Sequence, residues 1–387
     1  MNVQPIHDPH HMKNLILNSS EPILFRRKLD WKLLTWSLED WDTILQDKEL
    51  NFRCGINSHT KEPQWERTTN NKKATFKDFL SFIKTENKNW MYFDYKYLKE
   101  WFTDIEELKK HIDWEMLGFP ELSSEDCTIW IGSRGAHTPC HIDTYGCNLV
   151  AQIYGRKQWI LSPPETNLQP TRIPYEESSI YSKLNFFSPN LEDFKGVKSC
   201  RKIILEPGDV LFVPHKWWHY VENLDTAVSI NTWLPTPTDN EERLKESLVQ
   251  LFITQITKNV DTNLSEIILN PNSDEEVQNM SLTSSLTLVN KCKSIVKTSN
   301  QNLQCGEQAS AGKEIFNFEE YFTKYSFLQK IPKLSAAELN QFLLNQKSRF
   351  DGDDDIQKNC NVEEIVDVIN AFSHPDVLSL IKDKLLQ

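Results

Sequence analysis

Two hydrophobic periods succeed one another along this chain. Up to about residue 126, most short apolar runs recur at helical spacing. SLEDWDTILQ opens with Ser37 and places Asp40 three residues later, the polar pair of a helix-capping box. In ATFKDFLSFIK, Phe76, Phe79, Leu80 and Ile83 fall on one helical face. WMYFDY at 90–95 is aromatic and predicts a strand. YLKEWFTDIEELKKHI predicts a helix or a pair of helices. From about residue 127 the period becomes that of strands. CTIWIGS, CHIDTYG, NLVAQIY, KQWILSP, KIILE, DVLFVP, WHYVEN and AVSINTW are short, rich in β-branched and aromatic residues, and separated by Gly, Pro and Asn or Asp. Such a series predicts an antiparallel barrel or jelly roll. Gly155-Arg156 reads as a hairpin turn, and Pro207-Gly208-Asp209 as a second turn.

After Pro235 and Pro237 the strand pattern stops. ERLKESLVQLFITQI (242–256) is helical, with Leu244, Leu248, Leu251 and Phe252 on one side. Residues 271–312 are rich in Asn, Ser, Thr, Gln and Lys and read as a mobile linker. Helical periodicity returns from 314 to the end of the sequence. The expected organisation is a helix-and-strand region supporting the barrel (1–126), a mainly β core (127–235), a helix (236–270), a flexible polar linker (271–312) and a C-terminal helical region (313–387). The last region reads as a docking or self-association module, although its apolar stripes fit packing on the barrel equally well.

Composition narrows the classes. A formal net charge of −12 over 387 residues disfavours wrapping nucleic acid phosphate, while leaving a basic peptide open as substrate. Eight Cys without a CxxC pair fit neither a zinc finger nor a dense disulfide framework. No run of about 18 apolar residues predicts a membrane span, and the start lacks the pattern of a signal peptide. The expectation is a cytoplasmic or nuclear protein.

The chemistry concentrates in Thr138-Pro139-Cys140-His141-Ile142-Asp143. Side chains at i and i+2 of a strand share a face, so His141 and Asp143 can bind one metal together. A third ligand must come from a distant strand. His219 in GDVLFVPHKWWHYVEN is the best candidate, and His215, in the turn before Trp217-Trp218, is the competitor. Two His and one carboxylate form the facial triad of non-haem Fe(II) oxygenases, with three positions open. A His-x-Asp pair alone occurs by chance in many chains, and an isolated His is more often a core or surface residue. The downstream PGD–strand–WWH segment supplies the context that other histidines lack. The acidic run DGDDDIQ (351–357) has Ile356 where a calcium loop needs Gly and Val362 where it needs Glu, so it reads as a solvated loop.

HTPCHIDTYGCNLVAQIYGRKQWILSPP together with PGDVLFVPHKWWHYVENLDTAVSINTW resembles the JmjC family of Fe(II)/2-oxoglutarate oxygenases. The resemblance covers roughly residues 20–240 and implies a double-stranded β-helix, a cupin-like jelly roll with flanking helices. It implies His141, Asp143 and His219 as iron ligands. It implies Lys157 as the cation for the far carboxylate of 2-oxoglutarate, Thr138 as the hydroxyl sharing it, Asn148 and Asn231 as amides lining the co-substrate pocket, and Tyr92 as the phenol completing it. On residue type alone Lys157 is a solvated turn lysine and Arg156 its rival; Asn148 and Asn231 fit strand ends as well as a pocket. Within the small JmjC-only branch, the N-terminal FRR, the WMYFDYKY block and TPCHIDTYGCN resemble members that associate with a small heat shock protein. Two functions follow as expectations. One is an oxygenase hydroxylating a protein side chain. The other is a regulatory binding protein of a small heat shock protein, with a role in the stress response and little or no turnover. A homodimer through the C-terminal helices is a further expectation.

Overall fold

The computed structural model describes residues 8–85, 88–270, 277, 279–306, 318–350 and 363–387. Strands run as β1 Ile23–Phe25, β2 Leu50–Ile56, β3 Asn70–Ala74, β4 Asn89–Tyr97, β5 Cys127–Gly132, β6 His137–Asp143, β7 Cys147–Tyr154 and β8 Lys157–Ser162. They continue as β9 Pro170–Thr171, β10 Ser179–Ser182, β11 Arg201–Leu205, β12 Val210–Val213, β13 Trp218–Asn223, β14 Ala227–Leu234 and β15 Leu328–Lys330. Two antiparallel sheets result, ordered β15-β1-β12-β7-β14-β5-β4-β2-β3 and β11-β8-β13-β6-β10-β9. This is a jelly roll in which β5 to β8 and β11 to β14 form the barrel and N-terminal strands widen one sheet.

Period-two alternation decides which residues meet the interior. On β7, Leu149, Ala151 and Ile153 point outward into a core under the N-terminal helices, while Val150 points inward. On β8 and β13, Trp159, Leu161 and Val221 fill one end of the barrel, whereas Ile160, Trp218 and Tyr220 face a separate outer core. Beside Trp159 and Val221 the barrel interior turns to polar side chains, and there the candidate pocket opens. The capping boxes at Ser37–Asp40 and Thr75–Asp78 form as expected and start helices Leu38–Leu45 and Phe76–Ile83.

The turn at Gly155-Arg156 departs from the expected hairpin. β7 pairs with β12 and β14, and β8 with β11 and β13, so this turn carries the chain from one sheet to the other. Gly155 has φ +60, and an added Cβ would sit 2.0 Å from the Thr226 carbonyl oxygen, so only glycine allows the corner. A jelly roll spends its tight turns on such crossings, and local turn chemistry cannot tell them from hairpins.

The expected linker also departs from its description. Leu282–Gly306 is a helix packed on Asp239–Thr257, with Ser285, Val289 and Val296 buried at helical spacing. Its stripe is narrow, so the polar majority hid it from a compositional reading. Residues 271–276, 307–317 and the acidic run 351–357 lie outside the described residues.

Nor is the C-terminal region a detached module. β15 pairs with β1 and extends the larger sheet. Helix Ala336–Ser348 lays Leu339, Phe342 and Leu343 on the outer face of the smaller one. Glu222, buried on β13, accepts hydrogen bonds from Tyr220 Oη (2.9 Å) and Gln346 Nε2 (2.8 Å) and pairs with Arg349. A chain cut near residue 265 therefore loses a sheet strand and the partners of a buried carboxylate, and is expected to be insoluble or unfolded. Arg349, one-third exposed, is the milder probe. Arg349→Ala is expected to cost about 3 kcal/mol of unfolding free energy, at the low end for a broken buried pair. Denaturant titration measures this, and a loss below about 0.5 kcal/mol, the level of an ordinary surface change, would show that Gln346 and Tyr220 suffice for Glu222.

Candidate metal centre

β6 and β13 lie side by side with His141 directly opposite His219. Asp143, two residues further along β6, shares their face, and one donor atom from each of the three lies within 4.8 Å of the others. The imidazole rings are 4.1 Å apart at their centres. In both rings Nδ1 is committed to a backbone carbonyl, His141 to Pro139 O and His219 to Trp217 O, each at 2.9 Å. A carbonyl can only accept, so each Nδ1 carries the proton and each Nε2 presents its lone pair to the shared centre. Asp143 Oδ1 lies 3.5 Å from His141 Nε2, and Oδ2 accepts from Trp233 Nε1 at 2.9 Å.

The electrostatics suit a cation. Burial would raise the Asp143 carboxyl, but a hydrogen bond from His141 when that ring takes up a second proton, with His219 nearby, brings it down to about 2. Burial, with the nearby His141, pushes His219 down to about 4, which keeps it neutral as a metal ligand must be. His141 moves up: burial opposes its charge, but Asp143 outweighs burial. His215 stays apart, its Nδ1 on Gly146 O at 3.1 Å, outside this cluster.

The remaining candidates converge on the same cavity of about 580 Å³, which Thr138, Lys157, Asn148, Asn231 and Tyr92 all line. Thr138 reaches it through a register shift. Strict alternation would turn it away from His141, three residues on, but β6 carries one extra residue between the pairs Thr138–Val221 and His141–His219. Lys157, 1% exposed, donates to Ser229 Oγ at 2.8 Å and to Tyr92 Oη at 3.3 Å. It has no carboxylate within ion-pair distance among the described residues, and burial lowers its pKa to about 7 against the pull of Asp94. Arg156, the rival cation, is exposed and paired with Asp225. Asn148 and Asn231 are buried, and the amide oxygen of each lacks a partner, which leaves hydrogen-bonding capacity for a ligand. Tyr92 comes close because its strand neighbour is Gly132, where a Cβ would lie 2.6 Å from the tyrosine ring.

A family profile described as a cupin-like domain matches residues 9–240, well over half of the chain. The chain belongs to the cupin-like JmjC family. Among relatives, it is 39% identical over 286 residues to HSPB1-associated protein 1 of Bos taurus, covering 69% of this chain and 59% of that protein. It is 29% identical over 245 residues to Lysine-specific demethylase 8 of Xenopus tropicalis, covering 60% and 52%. It is 25% identical over 221 residues to Jumonji C domain-containing protein 5 of Drosophila melanogaster, covering 52% and 53%. The chain thus spans about 59% of the length of the bovine relative.

Among the residues of this JmjC pocket that escaped the sequence reading are Ser229 and Trp233. Both flank Asn231 at i±2 on β14, so alternation around that asparagine marks them for the same face. His141→Ala and His219→Ala are each expected to abolish stoichiometric Fe(II) binding with the barrel still folded, and His215→Ala to retain it. Iron content and circular dichroism of the purified variants make the comparison. Iron kept in His219→Ala but lost in His215→Ala would move the third ligand to the turn.

Proposed function

We propose that this chain is an Fe(II)- and 2-oxoglutarate-dependent oxygenase that hydroxylates a protein side chain. Lys157 carries the reading. A buried ammonium without a carboxylate partner is costly, and here it faces the cavity that also holds the two-histidine, one-carboxylate cluster. A dianionic oxo-acid bound at the metal answers both needs. The donor set suits Fe(II) with positions left open, and Asn148 and Asn231 line the same cavity, where their amide N–H groups could donate to a co-substrate carboxylate.

His141, Asp143 and His219 would hold the metal. Lys157, oriented by Ser229 and Tyr92, would take the far carboxylate, with Thr138 beside it. Iron with 2-oxoglutarate supplies the oxidising chemistry: O₂ gives one oxygen to succinate and one to a substrate C–H bond, with loss of CO₂. The chain's own work is to fix the donors, limit water around them with the apolar walls of Trp159 and Val221, and neutralise charge.

A second reading rests on the name of the bovine relative, HSPB1-associated protein 1. Under it, the JmjC shell binds a small heat shock protein and turnover is incidental. Anaerobic titration with Fe(II) and 2-oxoglutarate, then succinate measurement on admitting O₂, separates the two. Binding of both without succinate above background, with or without candidate peptides, would favour the adaptor.

Lys157→Ala is expected to weaken 2-oxoglutarate by about 2–5 kcal/mol, the range for removing one partner of a buried charge pair. Arg156→Ala should leave affinity near wild type, and equal affinity in both variants would remove the case for this co-substrate. The pH dependence carries a sign. The free protein's Lys157 titrates near pH 7 because burial lowers it, and an anion raises it again. Binding therefore takes up a proton above about pH 7. Affinity should fall as pH rises, by up to about tenfold per unit. In the unliganded fold this same group binds fewer protons than in the unfolded chain between about pH 7 and its ordinary 10.5, so its penalty on stability is relieved as pH rises. Isothermal titration of wild type and Lys157→Arg checks the binding effect, since arginine stays charged and should flatten the profile.

A further inference from the structure

Asp143 has two oxygens, and the fold treats them differently. Oδ1 lies 3.5 Å from His141 Nε2, whereas Oδ2 accepts the indole N–H of Trp233 at 2.9 Å and lies 4.0 Å from His219 Nε2. No other side chain among the described residues donates a conventional hydrogen bond to Oδ2. Trp233 is itself braced. Tyr95 packs edge-on against it with ring centres 5.7 Å apart, and against Trp130 at 5.8 Å. Tyr95 occupies the left-handed region at φ +52, where β4 carries an extra residue opposite β5. A bulky residue held there is strained, and such strain persists only where the surroundings over-determine it. Tyr95 is nevertheless 42% exposed at the pocket mouth, so burial of its ring does not account for the conformation.

We propose that Trp233 is a positioning residue for the metal, in a way that rests on the oxygenase reading. Its N–H engages Oδ2 and weakens that oxygen as a donor, so Asp143 gives the metal Oδ1 alone. A carboxylate chelating with both oxygens would take one of the three positions the triad leaves open, and since 2-oxoglutarate needs two, none would remain for O₂. The bulge at Tyr95 sets the indole plane by backing it from the mouth. Partners of this kind orient metal ligands, and their loss commonly costs 10–100-fold in affinity or activity.

The test uses the full chain, loaded anaerobically with Fe(II) and titrated with 2-oxoglutarate. Trp233→Phe keeps an aromatic ring and loses the donor. It should retain Fe(II), bind 2-oxoglutarate about tenfold more weakly or worse, and shift the visible charge-transfer absorption of the Fe(II)·2-oxoglutarate complex. Trp233→Gln, whose amide N–H can reach the same oxygen, should restore part of the affinity and move the band back. Wild-type affinity and an unshifted band in Trp233→Phe would reduce Trp233 to packing and overturn the proposal. Should both variants fail to fold, a crystal structure of the wild-type Mn(II) complex decides. Asp143 bound through Oδ1, with Oδ2 on the indole, supports the proposal; two-oxygen chelation or an indole turned away overturns it. If wild-type protein binds neither Fe(II) nor 2-oxoglutarate, the oxygenase reading itself has failed, a result distinct from the others.

Discussion

A buried ammonium without an ion-pair partner among the described residues shapes the pocket of this molecule. Lys157 stands at the start of β8, inside a barrel where Trp159 and Val221 line the same cavity and Leu161 and Leu211 pack behind them. In most proteins a lysine so enclosed would be paired or replaced. Here a hydroxyl from Ser229 and a phenol from Tyr92 hold it, and neither neutralises it. Desolvation therefore weakens its proton.

The metal cluster obeys a second constraint, that three donors from two strands meet at one point. Adjacent β6 and β13 bring His141 and His219 face to face, and strand alternation adds Asp143. Carbonyls of Pro139 and Trp217 set both tautomers through backbone geometry, so no further side chain is needed to aim the rings. Two irregularities complete the pocket: the extra residue in β6 that turns Thr138 inward, and the one in β4 that carries Tyr95 to the mouth. Each costs a regular ladder bond and gains a side-chain direction that a straight strand cannot provide.

The helical additions work from outside. The N-terminal helices cover the larger sheet, helix Ala336–Ser348 covers the smaller one, and the remaining helices gather around Asp239–Thr257. Glu222 lies three residues from His219 on the same strand, so the partners supplied by Gln346 and Arg349 bear on a strand that carries a candidate metal donor. That coupling makes β15 and helix Ala336–Ser348 part of the barrel's support.

Local sequence determined what depends on near neighbours. The two capping boxes, the run of short strands and the shared face of His141 and Asp143 all follow from spacing within a few residues. The strand preceding His219 distinguishes it from His215, whereas only family resemblance distinguishes Lys157 from Arg156, because residue type alone favours a solvated lysine. What remained was decided by long-range pairing. Gly155 looks the same in a hairpin and in a crossing between sheets. Ser285, Val289 and Val296 form an apolar stripe too thin to stand out against polar neighbours until Asp239–Thr257 packs on it. Trp233 meets Asp143 across 90 residues of chain, and Gln346 meets Glu222 across 124. No local pattern encodes those meetings, because strand order and sheet closure bring the partners together and a single side chain's chemistry does not specify its distant neighbour.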